Sequence, residues 1–388
     1  FPIRLGGQRL LHACEVVVSG EGVSARLVAH YRVMSNQELG LLRQQLNELR
    51  KKGSTVGDVM AAKMAWFEFP APIGPLAEPP AMDGPQPSEK EVAKQNLIKR
   101  IERLFAEDER NAAVRAHTEL VFAEVTVDPD ATPGRREIRV ITKRGISNSL
   151  AFFVGQVPEV ARKPMKTAKK PVLGKESLAQ RKRPAEEEEL GITLPCTMNG
   201  QLAAGWVDRY RFEATKGQRL VVSAKARDLV PYVADGVPGW FQAVLKLYDA
   251  NGKEVAYNDD FYFRPDPVLY YEVPADGEYV LTINEELFRG RESFTYRMTI
   301  GESPFVTSIF PLGARVGEPV KLEVNGWNLE NATLAPPPQD AKPGRHLIAA
   351  TDGDTISNYV PFALGTLPEC LDAESNDEPS SAQKVSLP

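Results

Sequence analysis

The sequence of 388 residues is poor in cysteine and histidine and contains no long apolar run. An odd number of cysteines, Cys14, Cys196 and Cys370, excludes a complete disulfide framework but leaves open a Cys196–Cys370 bridge. Cys14 lies in a strand-like segment and is expected to be buried. Zinc-ligand spacing is not found among the four histidines, which are His12, His30, His117 and His346. No segment has the roughly 20 apolar residues of a membrane-spanning helix, so we predict no membrane span.

An excess of positive charge is also missing. The 47 Lys and Arg residues are outnumbered by 52 Asp and Glu, which gives a net charge of −5. Proteins that bind nucleic acid present a basic surface, so we predict no nucleic-acid partner. The sequence starts at Phe1, directly before a strand-like segment, and this is consistent with a leader peptide that has already been removed.

Catalytic motifs are absent from the sequence as well. It contains no G-x-S-x-G elbow, no H-E-x-x-H pair and no P-loop. Catalysis needs convergent groups with tuned pKa values, and the carboxylate pairs of this sequence fall in turn-like segments where solvent exposure is the default. We therefore predict that the chain is not an enzyme.

What the sequence does contain is a long internal repeat. The segment DATPGRREIRVITKRGISN (130–148) recurs as DAKPGRHLIAATDGDTISN (340–358), 210 positions later and without a gap. The similarity continues through FFVGQVPEV (152–160) and FALGTLPEC (362–370). An ungapped repeat of this length predicts that one structural module occurs twice.

We assign the two copies to residues 1–158 and 303–368. Segments that start at Phe1 and Phe310 extend the correspondence upstream. Short alternating runs ended by glycine turns, and a P-G-R turn in which proline fixes φ and glycine supplies a positive φ, predict about seven short strands. This pattern is typical of a small immunoglobulin-like sandwich.

The first copy holds an additional helical stretch at about residues 36–118. Ser35 with Glu38 and Ser88 with Glu91 match the capping-box pattern, and leucines follow at helical spacing. A proline-rich segment between the two helical patterns cannot be helix. We predict a helical hairpin inserted into a sandwich loop, which is either packed on its own module or projects as an arm for a partner protein.

Residues 159–189 are predicted to be a charged linker, first basic and then acidic, that serves as a solvated tether or touches an anionic polymer of the cell surface. Residues 190–302 are predicted to form a third sandwich, because alternating runs are separated by turn signals such as Asn251-Gly252. Tyrosines recur in these runs, where we expect core-edge positions with satisfied hydroxyls. They are Tyr210, Tyr248, Tyr257, Tyr279 and Tyr296.

The middle segment also carries a family pattern: an N-G turn, a D-x-Y-x-F strand, a Y-D-x-x-G hairpin, an N-D-D turn and a P-x-x-G-x-Y strand. The residues at these positions are Asn199, Gly200, Asp208, Tyr210, Phe212, Gly217, Tyr248, Asp249, Gly252, Asn258, Asp259, Asp260, Pro274, Gly277 and Tyr279. The pattern resembles the bacterial pre-peptidase C-terminal (PPC) domain, and the flanking repeats resemble TIG/IPT-type immunoglobulin-like modules. The resemblance implies a fold and says little about function.

The end of the sequence resembles the opening segment of the same family. ESNDEPSSAQKVSLP (374–388) matches E-x-N-D followed by A-Q and L-P. We therefore expect residues 369–388 to begin a further PPC-like domain or to form a tail. The given sequence is then expected to be a piece of a longer protein.

The resemblance further implies calcium, which some members of the family hold with the opening acidic segment and the D-x-Y strand. Calcium takes six to eight oxygen ligands. In the middle segment the opening departs from E-x-N-D, so Glu188 and Glu189 stand beside Asp208 as candidates. The N-D-D turn is either an oxygen-rich metal site or a turn capped by its own side chains. Apart from Glu188 and Glu189, the candidate calcium ligands are Asp208, Asn258, Asp259, Asp260, Glu374, Asn376 and Asp377.

These observations predict a mainly β chain of three sandwich domains in series, the first interrupted by an α-helical hairpin. The resemblance implies a non-catalytic protein that is secreted, periplasmic or on the cell surface of a bacterium. It would act as a structural or adhesive scaffold that binds a protein or polysaccharide of the cell surface, with self-association left open. Two alternatives remain: an accessory region of a larger secreted hydrolase, and a subunit of an ordered assembly docked through the helical insert.

Overall fold

The computed structural model describes residues 1–32, 35–51, 53, 88–106, 119–163, 185–230, 241–290, 293–372 and 374–385. Much of the predicted helical insert, most of the predicted linker and His117 lie outside the described residues. The prediction of a mainly β fold is confirmed, since most described elements are strands arranged in several sheets. No described helix is long and apolar enough to cross a membrane.

The N-terminal unit contains two small sheets that face each other. Its strands are β1 (Pro2–Gly7), β2 (Ala13–Val18), β3 (Val23–Arg32), β4 (Glu119–Val127), β5 (Gly134–Thr142), β6 (Gly145–Ile146) and β7 (Leu150–Val154). One sheet has the order β1-β4-β3; in the other, β5 pairs with β2, β6 and β7. Alternation along β4 and β5 buries Val121 and Val140 between the sheets.

Two helices are described within the insert, α1 (Asn36–Arg50) and α2 (Glu89–Ala106). The capping box at the start of α1 is formed: Glu38 N–H donates to Ser35 Oγ at 3.2 Å, and Ser35 N–H donates to the Glu38 carboxylate at 2.7 Å. The apolar faces of both helices pack on β3 and β4. The residues of this cluster are Ala29, Leu39, Leu42, Leu46, Leu49, Ile101 and Leu120. In its described part the insert therefore packs on its own unit.

The middle unit is a sandwich of two five-stranded sheets. Its elements are β8 (Glu159–Ala161), α3 (Ala185–Glu188), β9 (Glu189–Gly191), β10 (Cys196–Gln201), β11 (Val207–Ala214), β12 (Arg219–Lys225), β13 (Ala243–Tyr248), β14 (Glu254–Asn258), β15 (Val268–Glu272), β16 (Gly277–Glu285) and β17 (Thr295–Gly301). The sheet orders are β15-β12-β17-β10-β8 and β14-β13-β16-β11-β9. Burial alternates along β11 and β17, whereas β13 and β16 are buried on both faces over most of their length; fully buried side chains such as Leu245 and Met298 lie between the sheets.

Both ends of the predicted linker belong to this sandwich. β8 pairs in parallel with β10, and β9 pairs in parallel with β11. The chain therefore adds one short strand to each sheet before and after residues 164–184, which lie outside the described residues. The linker boundaries at 159 and 189 are thus displaced inward, because three-residue strands give too short an alternation to be seen in a charged segment.

The C-terminal unit is built from smaller sheets. Its strands are β18 (Phe305–Phe310), β19 (Gly313–Arg315), β20 (Glu323–Trp327), β21 (Thr333–Leu334), β22 (Gly344–Ile348), β23 (Ala350–Asp352), β24 (Thr355–Ile356) and β25 (Val360–Gly365). They form the sheets β18-β20, β19-β25-β22 and β21-β23-β24. Phe362 is fully buried at the centre of the core.

The sequence repeat is matched by a repeat in strand register. β5 pairs with β7 from Gly134↔Val154 to Ile138↔Leu150, and β22 pairs with β25 from Gly344↔Leu364 to Ile348↔Val360. Ser147 and Ser357, which are equivalent, each accept a hydrogen bond through Oγ from the amide seven residues before, at 3.0 and 2.9 Å. The proline-glycine turn and the hairpin after it therefore have the same structure in both copies.

The upstream halves of the two copies are paired differently. β2 pairs with β5, whereas β20, the strand aligned with it, pairs with β18. β1 pairs antiparallel with β4, whereas β19 pairs parallel with β25. The upstream correspondence predicted from the sequence therefore does not extend to strand pairing, because the inserted hairpin extends β3 and β4 into a separate sheet.

The cysteines differ from the sequence expectation in two respects. All three are free thiols, so Cys196 and Cys370 form no bridge; Cys196 is buried in the middle sandwich and Cys370 is exposed beyond the third unit. Cys14 is exposed rather than buried. A register shift between Ala13 and Glu15 in the pairing of β2 with β5 accounts for this, because a bulged residue leaves the alternation of its strand.

The three units contact one another in pairs. Between the middle and C-terminal units, Trp327 stacks on Tyr270 with ring centroids 5.1 Å apart, and the ring of Phe261 lies 5.6 Å from that of Phe305. Between the N-terminal and middle units, the Lys225 ammonium lies 5.0 Å from the centre of the Phe153 ring. The first and last units also touch, because the Gln156 side chain forms hydrogen bonds with the backbone of Ile356. The units follow in series along the chain but do not form a simple linear string.

Candidate functional site

The predicted metal ligand Asp208 lies at the centre of a buried hydrogen-bond network. It sits on β11 with no exposed surface, and its Oδ2 accepts a hydrogen bond of 2.6 Å from the Tyr296 hydroxyl. Because Tyr296 gives its proton to Asp208, Tyr210 is the donor in the 2.5 Å bond between the two hydroxyls. Burial and the nearby Asp208 charge raise the pKa of both phenols, so both stay protonated.

The cation that faces Asp208 is supplied by the chain itself. Arg162 follows β8 and is itself buried, and its Nε lies 3.5 Å from Asp208 Oδ1. The guanidinium lies over the Tyr210 ring at 5.3 Å and donates to the backbone carbonyl of Arg209 at 2.9 Å. It also donates to the carbonyls of Glu187 and Glu188. Arg162 thus joins the two ends of segment 163–186 to the sandwich.

This arrangement does not fit a calcium ion. Calcium needs six to eight oxygen ligands with negative charge among them, but among the described residues Asp208 is the one carboxylate seen in this network, and the Arg162 guanidinium faces it. Glu189 is turned to Arg209 and Arg211, with distances of 3.3 and 2.5 Å. Glu188 contributes its backbone carbonyl to Arg162 at 3.2 Å. The carboxylates of Asp208 and Glu189 are therefore each paired with arginine, and Glu188 meets Arg162 through its backbone.

The N-D-D turn is capped by its own side chains. Asn258 Oδ1 accepts from the amides of Asp259 and Asp260 at 3.0 and 3.4 Å, while its Nδ2 donates to Val268 O at 2.6 Å. Tyr257 donates its hydroxyl proton to Asp259 Oδ2 at 3.0 Å. Burial, followed by this hydrogen bond and the Asp259 charge, raises the pKa of Tyr257. The local-capping alternative from the sequence describes the turn that is observed.

The loop that begins with the N-D-D turn is fixed at its other end by Asp266. Its carboxylate accepts hydrogen bonds from the amides of Ala226, Arg227 and Asp228 at 2.8 to 3.0 Å. Burial raises the pKa of Asp266 and the three amide bonds oppose that rise. Together with Asn258, this residue holds both ends of a short loop at one end of the middle sandwich.

Between these two anchors the chain presents two exposed aromatic side chains. Phe261 and Arg264 exchange backbone hydrogen bonds of 2.9 and 3.1 Å, which closes a tight turn around Tyr262 and Phe263. Phe261 points inward, with its ring centroid 5.6 Å from that of Phe305. Tyr262 is 64% exposed and Phe263 is fully exposed. The turn is therefore rigid at its base and apolar at its tip.

A second apolar loop lies at the same end of the sandwich. It follows β16, and the Glu285 carboxylate, which has no exposed surface, fixes it by accepting from the amides of Leu287 and Arg289 at 2.8 Å. Leu287 is 63% exposed and Phe288 is 51% exposed. We call the four side chains the apolar end: Tyr262, Phe263, Leu287 and Phe288.

The remaining predicted ligands lie in the C-terminal segment. Glu374 and Asp377 are exposed, and Asn376 donates to Asp372 Oδ1 at 2.6 Å. Within the described residues, no group of three or more His, Cys, Asp or Glu side chains could hold a metal ion. The sequence prediction of a calcium site in this segment therefore stays a prediction.

Sequence reasoning missed both Arg162 and the apolar end. Arg162 belongs to a basic run that looks solvated, and its burial depends on a strand pairing that the sequence does not show. Tyr262 and Phe263 did carry a signal: the segment NDDFYFRPD places three consecutive aromatic residues in a turn, where apolar side chains are unusual.

No family model and no curated protein matches this sequence. Among solved structures, the pre-peptidase C-terminal domain of a Bacillus anthracis collagenase is 18% identical, with a TM-score of 0.22 over 31% of this chain and 99% of that chain. Aeromonas hydrophila PliG, a periplasmic lysozyme inhibitor, is 11% identical, with a TM-score of 0.21 over 29% and 96%. The secreted serine protease VesC of Vibrio cholerae is 10% identical, with a TM-score of 0.20 over 47% and 35%. These sequence identities and TM-scores are too low to assign a function to this chain.

Proposed function

We propose that this chain is a non-catalytic binding scaffold, secreted or on the bacterial cell surface, that holds a protein partner through the apolar end. The observation that carries the proposal is the exposure of Tyr262 and Phe263 on a turn whose two ends are fixed. Rigid aromatic side chains that lose little conformational entropy on binding are typical anchors of protein interfaces.

The backbone at the apolar end supports this proposal. Tyr262 and Phe288 have φ values of 54° and 55°, in the left-handed region that bulky residues rarely adopt. Each such residue costs about 1 kcal/mol or more in folding free energy. Two strained residues that also expose aromatic rings lower stability and solubility, so a binding role is the simplest reason for the protein to keep them.

The chemistry of the surroundings indicates the kind of partner. The exposed carboxylates of Asp260 and Glu286 lie directly beside the aromatic residues in the two loops. The exposed Arg264 directly follows Phe263, so the neighbours carry both signs of charge, and such an apolar tip is complementary to an apolar pocket with a polar rim. We therefore expect a protein partner that carries such a pocket, and a polysaccharide is the other outcome that the experiment below distinguishes.

The helical insert is a weaker candidate for the docking surface. The apolar face of α1 is already buried against β3 and β4, with Leu42 and Leu49 fully enclosed. The buried ionisable groups also have structural partners, since Asp208 pairs with Arg162 and Glu285 pairs with Arg289. This supports a scaffold in which buried charge fixes loops rather than performs chemistry.

The experiment is co-sedimentation of the purified chain with bacterial envelope fragments, before and after protease treatment of the fragments. The wild type is compared with a Tyr262→Asn/Phe263→Ser variant, in which asparagine tolerates the left-handed backbone at position 262. The matched control is Leu312→Ser, which removes a side chain that is 69% exposed on the C-terminal unit.

We expect binding to untreated fragments, loss of that binding after protease treatment, and at least about a tenfold loss in the Tyr262→Asn/Phe263→Ser variant. The control variant should bind like the wild type. Equal binding to protease-treated fragments would identify a polysaccharide ligand and overturn the protein partner. No binding by the wild type, or full binding by the double variant, would overturn the role of the apolar end.

A further inference from the structure

The C-terminal unit contains a cavity of about 180 Å³ beside its core. The floor of the cavity is apolar and includes Phe362, which is fully buried, and Ala314, which is 8% exposed. Val320 and the proline run 336–338 form its walls, and because proline fixes φ these walls have little freedom to close over the space. Apolar cavities of about 150 Å³ stay dry and take up small apolar molecules. The cavity is therefore suited to an apolar group that enters from outside.

The first repeat copy places leucines in the corresponding part of its own core. Leu5 aligns with Ala314 through the upstream correspondence of the two copies. Although β1 and β19 pair with different strands, Leu5 packs on the core cluster next to Phe152, and Ala314 packs in the cluster that contains the equivalent Phe362. Leu10, between β1 and β2, adds a second leucine that is 7% exposed, whereas no residue between β19 and β20 is buried. The last copy thus lacks two leucine side chains that the first copy supplies from within.

The exposed residues that line the cavity are polar. Arg315 and Glu318, whose side chains are 45% and 52% exposed, form an ion pair at 3.3 Å. Gln339, which directly follows the proline run, is also exposed. The peptide groups on either side of an inserted side chain can hydrogen-bond to such residues, whereas a pure hydrocarbon cannot. An apolar interior with a few polar groups at its opening therefore favours a side chain of a polypeptide.

We propose that this cavity is a binding site for one branched aliphatic side chain, leucine in particular, that a partner polypeptide presents. Pockets for drug-sized ligands have volumes of about 300–1,000 Å³, so the volume of this cavity matches a single side chain. Leucine is selected because the first copy uses Leu5 and Leu10 in the corresponding part of its core. The site lies in the C-terminal unit and shares no residue with the apolar end, so it does not depend on the function proposed above.

The test is methyl NMR spectroscopy of the 388-residue chain during titration with N-acetyl-leucine methylamide, which presents a leucine side chain between two peptide groups. Concentrations up to about 20 mM cover millimolar binding. N-acetyl-alanine methylamide is the matched probe, and isoamyl alcohol carries the same branched hydrocarbon without peptide groups. The signals followed are those of Val320 and Leu364, which line the cavity, and of Val154, the equivalent of Leu364 in the first copy.

Two variants fill the cavity independently of each other. Ala314→Leu introduces the residue of the first copy at the floor, and Val320→Phe enlarges a side chain of the wall. The matched control is Ala363→Leu: Ala363 is exposed and directly follows the buried Phe362, so alternation places it on the opposite face of β25. Circular dichroism confirms that each variant is folded, and binding to the variants is followed at Leu364.

We expect the leucine amide to shift the signals of Val320 and Leu364 saturably and to leave Val154 unchanged. The alanine amide should bind at least about tenfold more weakly, because it buries three fewer carbon atoms. Each filling variant should weaken binding of the leucine amide by at least about tenfold, and Ala363→Leu should bind it like the wild type.

No saturable shift with the leucine amide, or equal shifts of Leu364 and Val154, would overturn the site in the C-terminal unit. Unchanged binding of the leucine amide by a folded filling variant would overturn it as well. Tighter binding of isoamyl alcohol than of the leucine amide would overturn the polypeptide partner and identify a free apolar molecule as the ligand.

Discussion

The hydroxyl of Tyr359 donates a hydrogen bond of 3.0 Å to the carbonyl of Pro133, although the two residues are 226 positions apart in the chain. A Cβ at the next residue, Gly134, would lie 3.0 Å from the edge of the Tyr359 ring. The first and last units are therefore in close contact. The middle sandwich does not keep them apart, and the three units make a closed set of contacts.

The pair of Arg162 and Asp208 is expected to be the most sensitive charged contact in the middle unit. Arg162→Met keeps most of the side-chain volume but leaves the Asp208 carboxylate buried without its cation. Loss of one partner of a buried ion pair costs about 3–5 kcal/mol. Urea denaturation should show a loss of this size in the free energy of unfolding.

The neighbouring residue supplies the control for that variant. Lys163 pairs with Glu187 but its side chain is 80% exposed, and exposed pairs contribute about 0–1 kcal/mol. Lys163→Met should therefore change stability little. A loss in Arg162→Met no larger than that in Lys163→Met would show that the guanidinium does not hold the sandwich together.

Calcium is expected to leave the unfolding temperature of the middle unit unchanged. A ligand that binds the folded state stabilises it in proportion to the logarithm of its concentration over Kd. The site around Asp208 holds a guanidinium, and the oxygens of Asn258 and Asp259 already accept hydrogen bonds. Differential scanning calorimetry with EDTA and with millimolar calcium chloride should give superimposable transitions. A transition that rises with calcium concentration would contradict this interpretation.

The pH dependence of stability should report on Glu159, which joins β8 to the sandwich. Its carboxylate accepts from Arg297 at 2.5 and 2.6 Å and from Asn199 at 3.0 Å. Burial disfavours the charged form, but the hydrogen bonds and charge of Arg297 outweigh burial, so the pKa of Glu159 is lowered from its usual 4.5. The charged side chain therefore adds stability above the unfolded-state pKa, and this stability is lost as the pH falls through the folded-state pKa.

Glu159→Gln should accordingly lower the free energy of unfolding by about 1 kcal/mol at pH 7, a value reduced for partial exposure of the pair. The difference from the wild type should shrink as the pH is lowered below the usual value of 4.5. Glu213→Gln, which changes an exposed carboxylate on β11, is the control. A difference between Glu159→Gln and wild type that stays constant from pH 7 to about pH 3 would exclude ionisation of Glu159 as its cause.

The repeat shows how far local sequence determines structure in this chain. The turn at Pro133-Gly134 and the strands after it were predictable, because φ restrictions and alternation are local properties and the second copy repeats them. The glycines of the two turns have φ values of 138° and 146°, so the same conformation is used twice. By contrast, the position of β1 was not predictable, because its pairing depends on β4, which follows it by more than 100 residues.

The network around Asp208 was predictable only in part, because it too depends on pairing between distant strands. Asp208 was found from the D-x-Y strand pattern, and its burial follows from the alternation of β11. Its partner Arg162 could not be found, because an arginine in a basic run is usually solvated and only the pairing of β8 with β10 carries it inside. The capping role of Asn258 could be expected, since short polar side chains commonly bond the amides that follow them in turns.

The contact between the first and last units gives the last prediction. The Ile356 amide donates to Gln156 Oε1 at 2.9 Å, so its hydrogen exchange reports whether the units stay together. Gln156→Ala removes the acceptor, and Tyr359→Phe removes the bond to Pro133. Each variant should lose about 1 kcal/mol of stability. In Gln156→Ala, the Ile356 amide should exchange about fivefold faster or more, because opening the contact then needs about 1 kcal/mol less free energy.

The repeat supplies the control for this prediction. Thr366 occupies in the last copy the position that Gln156 has in the first copy, and it is exposed. Thr366→Ala should therefore leave both stability and the exchange of the Ile356 amide unchanged. Unchanged exchange in Gln156→Ala would mean that the units are held together mainly through the middle sandwich, where Trp327 stacks on Tyr270. Faster exchange in Gln156→Ala alone would instead show that the direct contact between the two repeat copies fixes their relative position.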